Sequence, residues 1–330
     1  MINVYVHCAN AQDATSWYRA WGTFADIEKR SDIRFYSMDL IFRTMTTEMK
    51  KEAGRNPKEK ISFLFWPELI KADVAFFQRS TEGPTLAMAK DLKKAGVKIW
   101  YDLDDNLWEI PQTYQVKKHF YPAILDNVKE FLRLADVVTV STKALADYLE
   151  RFDVKAKVIN NGIDFDKYPI RPINLAGKTI WRGSSTHADD LNKFRELFER
   201  MEEVTFFGFD PIRNYPRLKA NGKFIPAANP SHYYHALKHL EPTFLISTLS
   251  DNIFNQCKSN ISYMEATMAG AVSVNTQVGE FKSKGIDINE TEVSADLILT
   301  KHAEAVEDCL DNYHLKKLND QRIEMICGLL

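Results

Sequence analysis

Asn255 to Gly270 reads NQCKSNISYMEATMAG, and AVSVNT follows at once over Ala271–Thr276. A polar loop ends at Lys258-Ser259. An amphipathic helix then carries Ile261, Met264 and Met268 on one face and stops at Gly270, and a short apolar strand follows. Glu265 sits inside that helix on an otherwise apolar run. A buried carboxylate without a partner is costly, so an acid there needs a reason. A ligand bearing hydroxyls is one. Lys258 and the free N–H groups at the helix start suit phosphates on that same ligand.

Outward from this stretch the chain alternates strand and helix. In the first half the expected strands are Asn3–Cys8, Ile33–Tyr36, Val74–Gln78, Lys98–Leu103, Val137–Ser141 and Lys157–Asn160, with helices such as Pro84–Lys94 and Tyr121–Leu134 between them. Pro84 suits a first helical position, where a missing N–H is harmless. Short apolar strands separated by helices imply a parallel sheet covered on both faces.

The pattern breaks at Tyr168-Pro169-Ile170-Arg171-Pro172, where two prolines and no periodicity mark a linker. It restarts with a strand at Thr179–Gly183 and a helix at Asp190–Met201. Further strands are expected at Val204–Phe209, Phe244–Thr248 and Ala271–Asn275, and a final helix at roughly His302 to Leu318. The expected division is residues 1–168, a linker at 169–176, a second domain at 177–301 and a helical segment at 302–330. The fold class is α/β, with two tandem doubly wound, Rossmann-like domains and a cleft between them. Ligands of such sheets bind beyond the carboxyl ends of the strands.

Composition narrows the function classes. Hydrophobic residues are 45% and charged residues 27%, the balance of a globular protein, and a net charge of −2 gives no global attraction to nucleic acid or membrane. The apolar runs are too short to span a bilayer, so no membrane span is expected. The start, MINVYVHCANAQD, lacks the layout of a signal peptide, and Cys8, Cys257, Cys309 and Cys327 have no pairing or metal spacing. The expected location is the cytoplasm. There is no G-x-G-x-x-G after the first strand, no G-x-x-x-x-G-K-[ST] and no G-x-S-x-G, which argues against dehydrogenase, P-loop and serine-hydrolase readings.

The unusual polar residues fall just after strands. Arg182-Gly183-Ser184-Ser185-Thr186-His187 follows one, with Thr186 and Asp189 in capping-box spacing. This is either a phosphate cradle or a capped helix. Asp102, Asp104 and Asp105 crowd another strand end and repel unless something positive is near. Four readings stay open for them: a metal site, an acceptor-hydroxyl site, pairing with Arg19 or Arg79, and helix capping. Arg19, between Trp17, Tyr18 and Trp21, and Gln78-Arg79 at a strand end are further candidates. Two basic stretches, Lys50–Lys60 and Arg213–Lys223, leave room for a nucleic-acid partner, although charge runs are more often solvated faces.

ADVVTVSTKALADYL (Ala135–Leu149), VINNGIDFDKY (Val158–Tyr168), VTFFGFDP (Val204–Pro211) and FLISTLSDNIFNQCKSNISYMEATMAGAVSVNT (Phe244–Thr276) carry a resemblance to GT-B fold glycosyltransferases, most of all the retaining GT4-like group. YDLDDNLWEIP (Tyr101–Pro111) and QRSTEGP (Gln78–Pro84) are similar to segments of transferases encoded by tailed phages, some of which glycosylate hydroxymethylated pyrimidines in DNA. The resemblance implies retaining transfer from a nucleotide-diphosphate sugar, a co-substrate rather than a resident cofactor, to an acceptor hydroxyl. It implies no required metal and no covalent enzyme intermediate. Glu265 matches the second acid of the family's E-x7-E motif, which holds the donor ribose; the first acid falls at Cys257 and is missing. Gly183, Ser184, Ser185, His187, Asn255 and Ser259 are then expected at the donor, Arg182 and Lys258 at its diphosphate. Asp102, Asp104, Asp105, Arg19, Gln78 and Arg79 are expected on the acceptor side. The acceptor stays open between a modified base in double-stranded DNA, which would place a phage protein in the host cytoplasm, and a glycan or small molecule. A nucleotide-sugar-binding protein without catalysis is the rival class.

Overall fold

The computed structural model describes residues 1–8, 13–37, 71–212 and 222–330. The Lys50–Lys60 stretch and Arg213, Tyr215, Arg217 and Lys219 of the second basic stretch lie outside them. Two units emerge, and neither is continuous in sequence. The first comprises Met1–Asp104, Phe120–Ile159 and Asn319–Leu330; the second comprises Asp105–His119 and Asn160–Leu318. The chain passes between units at Ile159–Asn160, ahead of the proline-bearing stretch expected as the linker. It passes again inside the acidic run, at Asp104–Asp105.

The first unit is built on a parallel sheet in the order β2-β1-β3-β4-β5-β6. Its strands are β1 (Ile2–Cys8), β2 (Ile33–Tyr36), β3 (Val74–Gln78), β4 (Lys98–Leu103), β5 (Val137–Val140) and β6 (Lys157–Val158). Every residue of β3 and β5 is buried, as expected of central parallel strands covered on both faces. On one face Phe76 meets Phe24 and Trp100 edge-on, and Phe24 lies tilted against Trp100, with ring centroids 4.6–5.9 Å apart. On the other face Tyr101 stacks on Phe131 of the helix Pro122–Leu134 at 5.0 Å.

The second unit repeats the plan with β7 (Lys178–Gly183), β8 (Val204–Gly208), β9 (Gly222–Pro226), β10 (Pro242–Ser247), β11 (Val272–Asn275) and β12 (Ile286–Asp287), in the order β12-β11-β10-β7-β8-β9. Its core gathers Trp181, Leu191, Phe198, Phe206 and Ile246. The edge strands β9 and β12 were not expected. GKFIP is half exposed and Ile286–Asp287 is two residues long, so neither gives an apolar run.

Three helices differ from expectation. The helix Ile261–Ala269 is not amphipathic: Ser262 to Ala269 are all buried. It does end on Gly270, whose φ of +76° is left-handed; a Cβ there would meet the Pro172 carbonyl oxygen at 2.4 Å. The helix expected over Asp190–Met201 is two, Ala188–Lys193 and Arg195–Arg200. Phe194 leaves helical geometry between them (φ −105°, ψ 15°) and packs against the Trp181 cluster. The final helix is also two, Ala295–Asn312 and Leu315–Leu329. Ile163 interrupts it by exchanging backbone bonds with Tyr313 (3.0 Å) and Leu315 (2.9 Å).

The second of these helices ends in the first unit. There Asn319 donates to the Asp26 carboxylate (2.7 Å) and Arg30 pairs with Asp320 (2.5 Å). No helix among the described residues is long and apolar enough to cross a membrane.

Candidate functional site

In the second sheet the chain runs outward from β7 to β8 and β9, then returns to β10 on the other side of β7. The neighbours β7 and β10 therefore form the switch point, where a crevice opens beyond the strand ends. Arg182 and Gly183 end β7, and Ser247 ends β10. Gly183 is required sterically: a Cβ would meet the Trp181 ring at 2.5 Å. Ser184 and Ser185 after it are exposed. The expected Thr186 capping box does not form. The chain takes a tight turn over Ser185–His187 instead, and the Ser184 hydroxyl accepts from the Thr186 N–H (3.4 Å).

Glu265 is 2% exposed and is not alone. Arg182 Nη2 lies 2.7 Å from its Oε2, and the Tyr233 hydroxyl donates to the same oxygen at 3.0 Å. Tyr233 in turn stacks on Phe207 at 5.2 Å, 8° from parallel. Burial, reinforced by Glu265, raises the Tyr233 phenol well above its ordinary value, so it stays a proton donor to the carboxylate. Two residues placed by the sequence in separate subsites, Arg182 at phosphate and Glu265 at ribose, are thus one ion pair.

Asp190 is fully buried and gathers three segments. Its Oδ2 faces His187 Nδ1 at 3.2 Å, and its Oδ1 accepts from the Ser250 N–H (2.9 Å) and Asn255 Nδ2 (3.0 Å). Asn255 Nδ2 also reaches the Ser250 carbonyl (2.9 Å) and the Tyr114 hydroxyl (3.3 Å), while its buried Oδ1 has no partner. Burial opposes the Asp190 charge, but the bonds from His187, Ser250 and Tyr114 outweigh it and hold the carboxyl below its usual range. His187 is pushed down, first by burial and then by the positive charges of Lys258 and Arg182, against the pull of Asp190. Arg182, His187 and Lys258 therefore share one electrostatic neighbourhood. Lys258 lies 3.2 Å from Asp105 and 4.4 Å over the Phe254 ring, and Ser259 beside it is half-buried.

The first unit has its own switch point, between β1 and β3, and Gln78-Arg79 stands there. Arg79 has φ +44°, a strained conformation for a side chain of its kind. Its guanidinium is 3.7 Å from Asp104, which Gln78 also reaches at 3.4 Å. The acidic run is not one cluster, because its members part as the chain leaves β4. Asp102 is 1% exposed and holds Arg19 through two bonds (2.9 and 2.5 Å) plus the Thr139 hydroxyl (2.6 Å). Asp104 faces Arg79, and Asp105 belongs to the second unit with Lys258. Arg19 is buried too; burial works against its charge, yet Asp102 outweighs it and raises the guanidinium's pKa. Asp102 and Arg19 thus satisfy each other inside the unit. No group of three or more His, Cys, Asp or Glu among the described residues is arranged to hold a metal.

Tyr233, Asp190 and Tyr114 escaped the sequence reading as site residues. Tyr233 had a signal, the paired Tyr233-Tyr234 near a strand of the donor half; Asp190 passed as a helix start, and Tyr114 carried none.

The architecture defined by these two sheets is the GT-B fold. It is shared with sucrose-phosphate synthase from Thermosynechococcus elongatus, at a TM-score of 0.61 and 11% identity over 99% of this chain and 95% of that one. A UGT transferase from Siraitia grosvenorii, solved in complex with UDP, aligns with 98% of this chain and 99% of its own at 11% identity and a TM-score of 0.49. No protein-family model matches the sequence. No curated protein matches it either.

Proposed function

We propose that the protein is a retaining glycosyltransferase that takes a sugar from a nucleotide-diphosphate sugar to an acceptor hydroxyl. The observation that carries this reading is the gathering of Arg182, His187 and Lys258 at the β7–β10 switch point, beside the buried Glu265. The cations Arg182 and Lys258 there match a diphosphate, and an acid held by Arg182 and Tyr233 matches ribose hydroxyls. The GT-B fold is consistent with it, and so are the segments that resemble the GT4-like group.

In this account the donor binds the second unit. Arg182, Lys258 and the N–H groups at the start of the helix Ile261–Ala269 meet the charge that grows on the leaving diphosphate. The acceptor hydroxyl attacks the anomeric carbon from the face the diphosphate leaves, and its proton departs with the diphosphate. Gln78, Arg79 and Asp104 of the first unit orient the acceptor. No metal or resident cofactor takes part. We assign Asp102 and Arg19 to holding the first unit together rather than to the acceptor.

For the acceptor, a hydroxymethylated pyrimidine in DNA stands first, on the resemblance of Tyr101–Pro111 and Gln78–Pro84 to phage transferases. A panel of nucleotide sugars, incubated with hydroxymethylated DNA, unmodified DNA and small glycans, tests the reading. Diphosphate release that requires an acceptor, with a matching mass gain on it, supports transfer. Nucleotide binding without release on any acceptor assigns the chain to the binding proteins instead.

A further inference from the structure

His187 is held in one ring orientation by a carboxylate that cannot move. Asp190 is fully buried and anchored from two other segments, through the Ser250 N–H of the loop after β10 and the Asn255 amide of the short helix Ile253–Gln256. An anionic oxygen at Nδ1 commits that nitrogen to carry the proton of the neutral ring. Nε2 is then left as a bare acceptor, and it makes no hydrogen bond among the described residues. Phosphate oxygens are acceptors as well. The two can meet only if Nε2 gains a proton.

The surroundings bear on when that happens. The charged groups facing His187 are Asp190 on the helix it precedes, Arg182 at the end of β7 and Lys258 after the helix Ile253–Gln256. Asp105 lies behind Lys258, and the Tyr114 hydroxyl bonds to Asp190. Burial and the two cations keep His187 below its ordinary pKa in the empty protein. A diphosphate neutralises those two cations and reverses the sign of the field at the ring.

We propose that His187 binds the donor's diphosphate through Nε2 and takes a proton from solvent as it does so, with Asp190 as the positioning residue that fixes the ring. This rests on the donor site proposed above. The step moves one proton from water to Nε2 and makes or breaks no other bond. Its consequence is linkage. His187 is neutral above its lowered pKa in the free protein and charged in the complex. Between the two values, diphosphate binding tightens as pH falls, by up to about tenfold per pH unit.

The test is calorimetric titration of the whole protein with UDP, ADP, GDP and dTDP near pH 7.5, in buffers of different ionisation enthalpy. His187→Gln serves as the reference that removes the nucleotide's own protonation from the comparison. The wild type is expected to take up a substantial fraction of one proton more than His187→Gln, and Asp190→Asn to lose that excess. In the wild-type protein, the His187 ring resonances should move towards their protonated positions when nucleotide is added. This readout stands even if a variant fails to fold. Binding with equal proton uptake in wild type and His187→Gln, or an unmoved ring signal, overturns the proposal and leaves the donor site standing. No binding of any of the four nucleotides overturns both.

Discussion

Replacing Asp102 by Asn tests whether the first acid of the run is structural or functional. The carboxylate is 1% exposed and Arg19 is 2% exposed, so neither can turn to solvent for relief. A third buried charge lies nearby. Arg322 is 2% exposed, and burial together with the Arg19 charge pushes its pKa down to about 9. Asp102 is thus the counter-charge for one guanidinium and eases the other. Removing one partner of a buried pair costs about 3–5 kcal/mol, because an uncompensated charge stays behind. At about 2–4 °C per kcal/mol for a unit of this size, the melting temperature should fall by about 6–20 °C. Scanning calorimetry reads this directly. The double variant Asp102→Leu with Arg19→Met should recover much of the loss, since apolar replacement of a whole buried pair is often neutral or better. If Asp102→Asn melts within about 2 °C of wild type, the buried-pair argument is wrong and Asp102 returns to the acceptor site.

Arg182→Ala should lower turnover at saturating donor more than it weakens acceptor binding, because the charge it meets grows in the transition state; near-normal turnover would remove it from the diphosphate site. Lys258→Ala should weaken nucleoside diphosphate binding. Asp105→Asn, which frees Lys258 from its partner at 3.2 Å, should tighten it by about two- to fivefold, a modest effect suited to a partly exposed pair. Affinity lost in Asp105→Asn would mean that the pair positions Lys258 rather than restraining it. Transfer should survive EDTA, and Asp104→Asn should impair transfer while leaving the nucleotide dissociation constant unchanged. Loss of activity in EDTA, restored by magnesium or manganese, would contradict the metal-free account.

Strands buried on both faces were legible because they leave apolar runs: Val74–Gln78 and Lys98–Leu103 were placed to the residue. Glycine punctuation was legible too, since Gly270 ends its helix where the backbone turns left-handed. Edge strands were not, because exposure erases the apolar run. Helix breaks at Phe194 and at Tyr313-His314 were invisible, since tertiary contacts, not local propensity, make them. At the site, Glu265 announced itself as an acid on an apolar run. Its partner did not: nothing in the spacing of Arg182 and Glu265 reveals a 2.7 Å pair. The acidic run was legible in part. Pairing with Arg19 or Arg79 was one of the readings left open, and Asp102 does pair with Arg19 and Asp104 with Arg79. That the three acids part, with Asp105 turned to Lys258, was not legible, because sequence proximity suggests a single cluster.

The central claim is that the second unit holds a nucleoside diphosphate with Glu265 on its ribose. It is tested most directly by the dissociation constants of UDP, ADP, GDP and dTDP for wild type and Glu265→Ala, with folding checked by melting temperature. Hydrogen bonds to a charged group are worth roughly 1.5–3 kcal/mol, so the account predicts that at least one nucleotide binds and that the variant binds it about ten- to a hundredfold more weakly. Equal affinity in a folded Glu265→Ala protein, or no binding by the wild type, would contradict it.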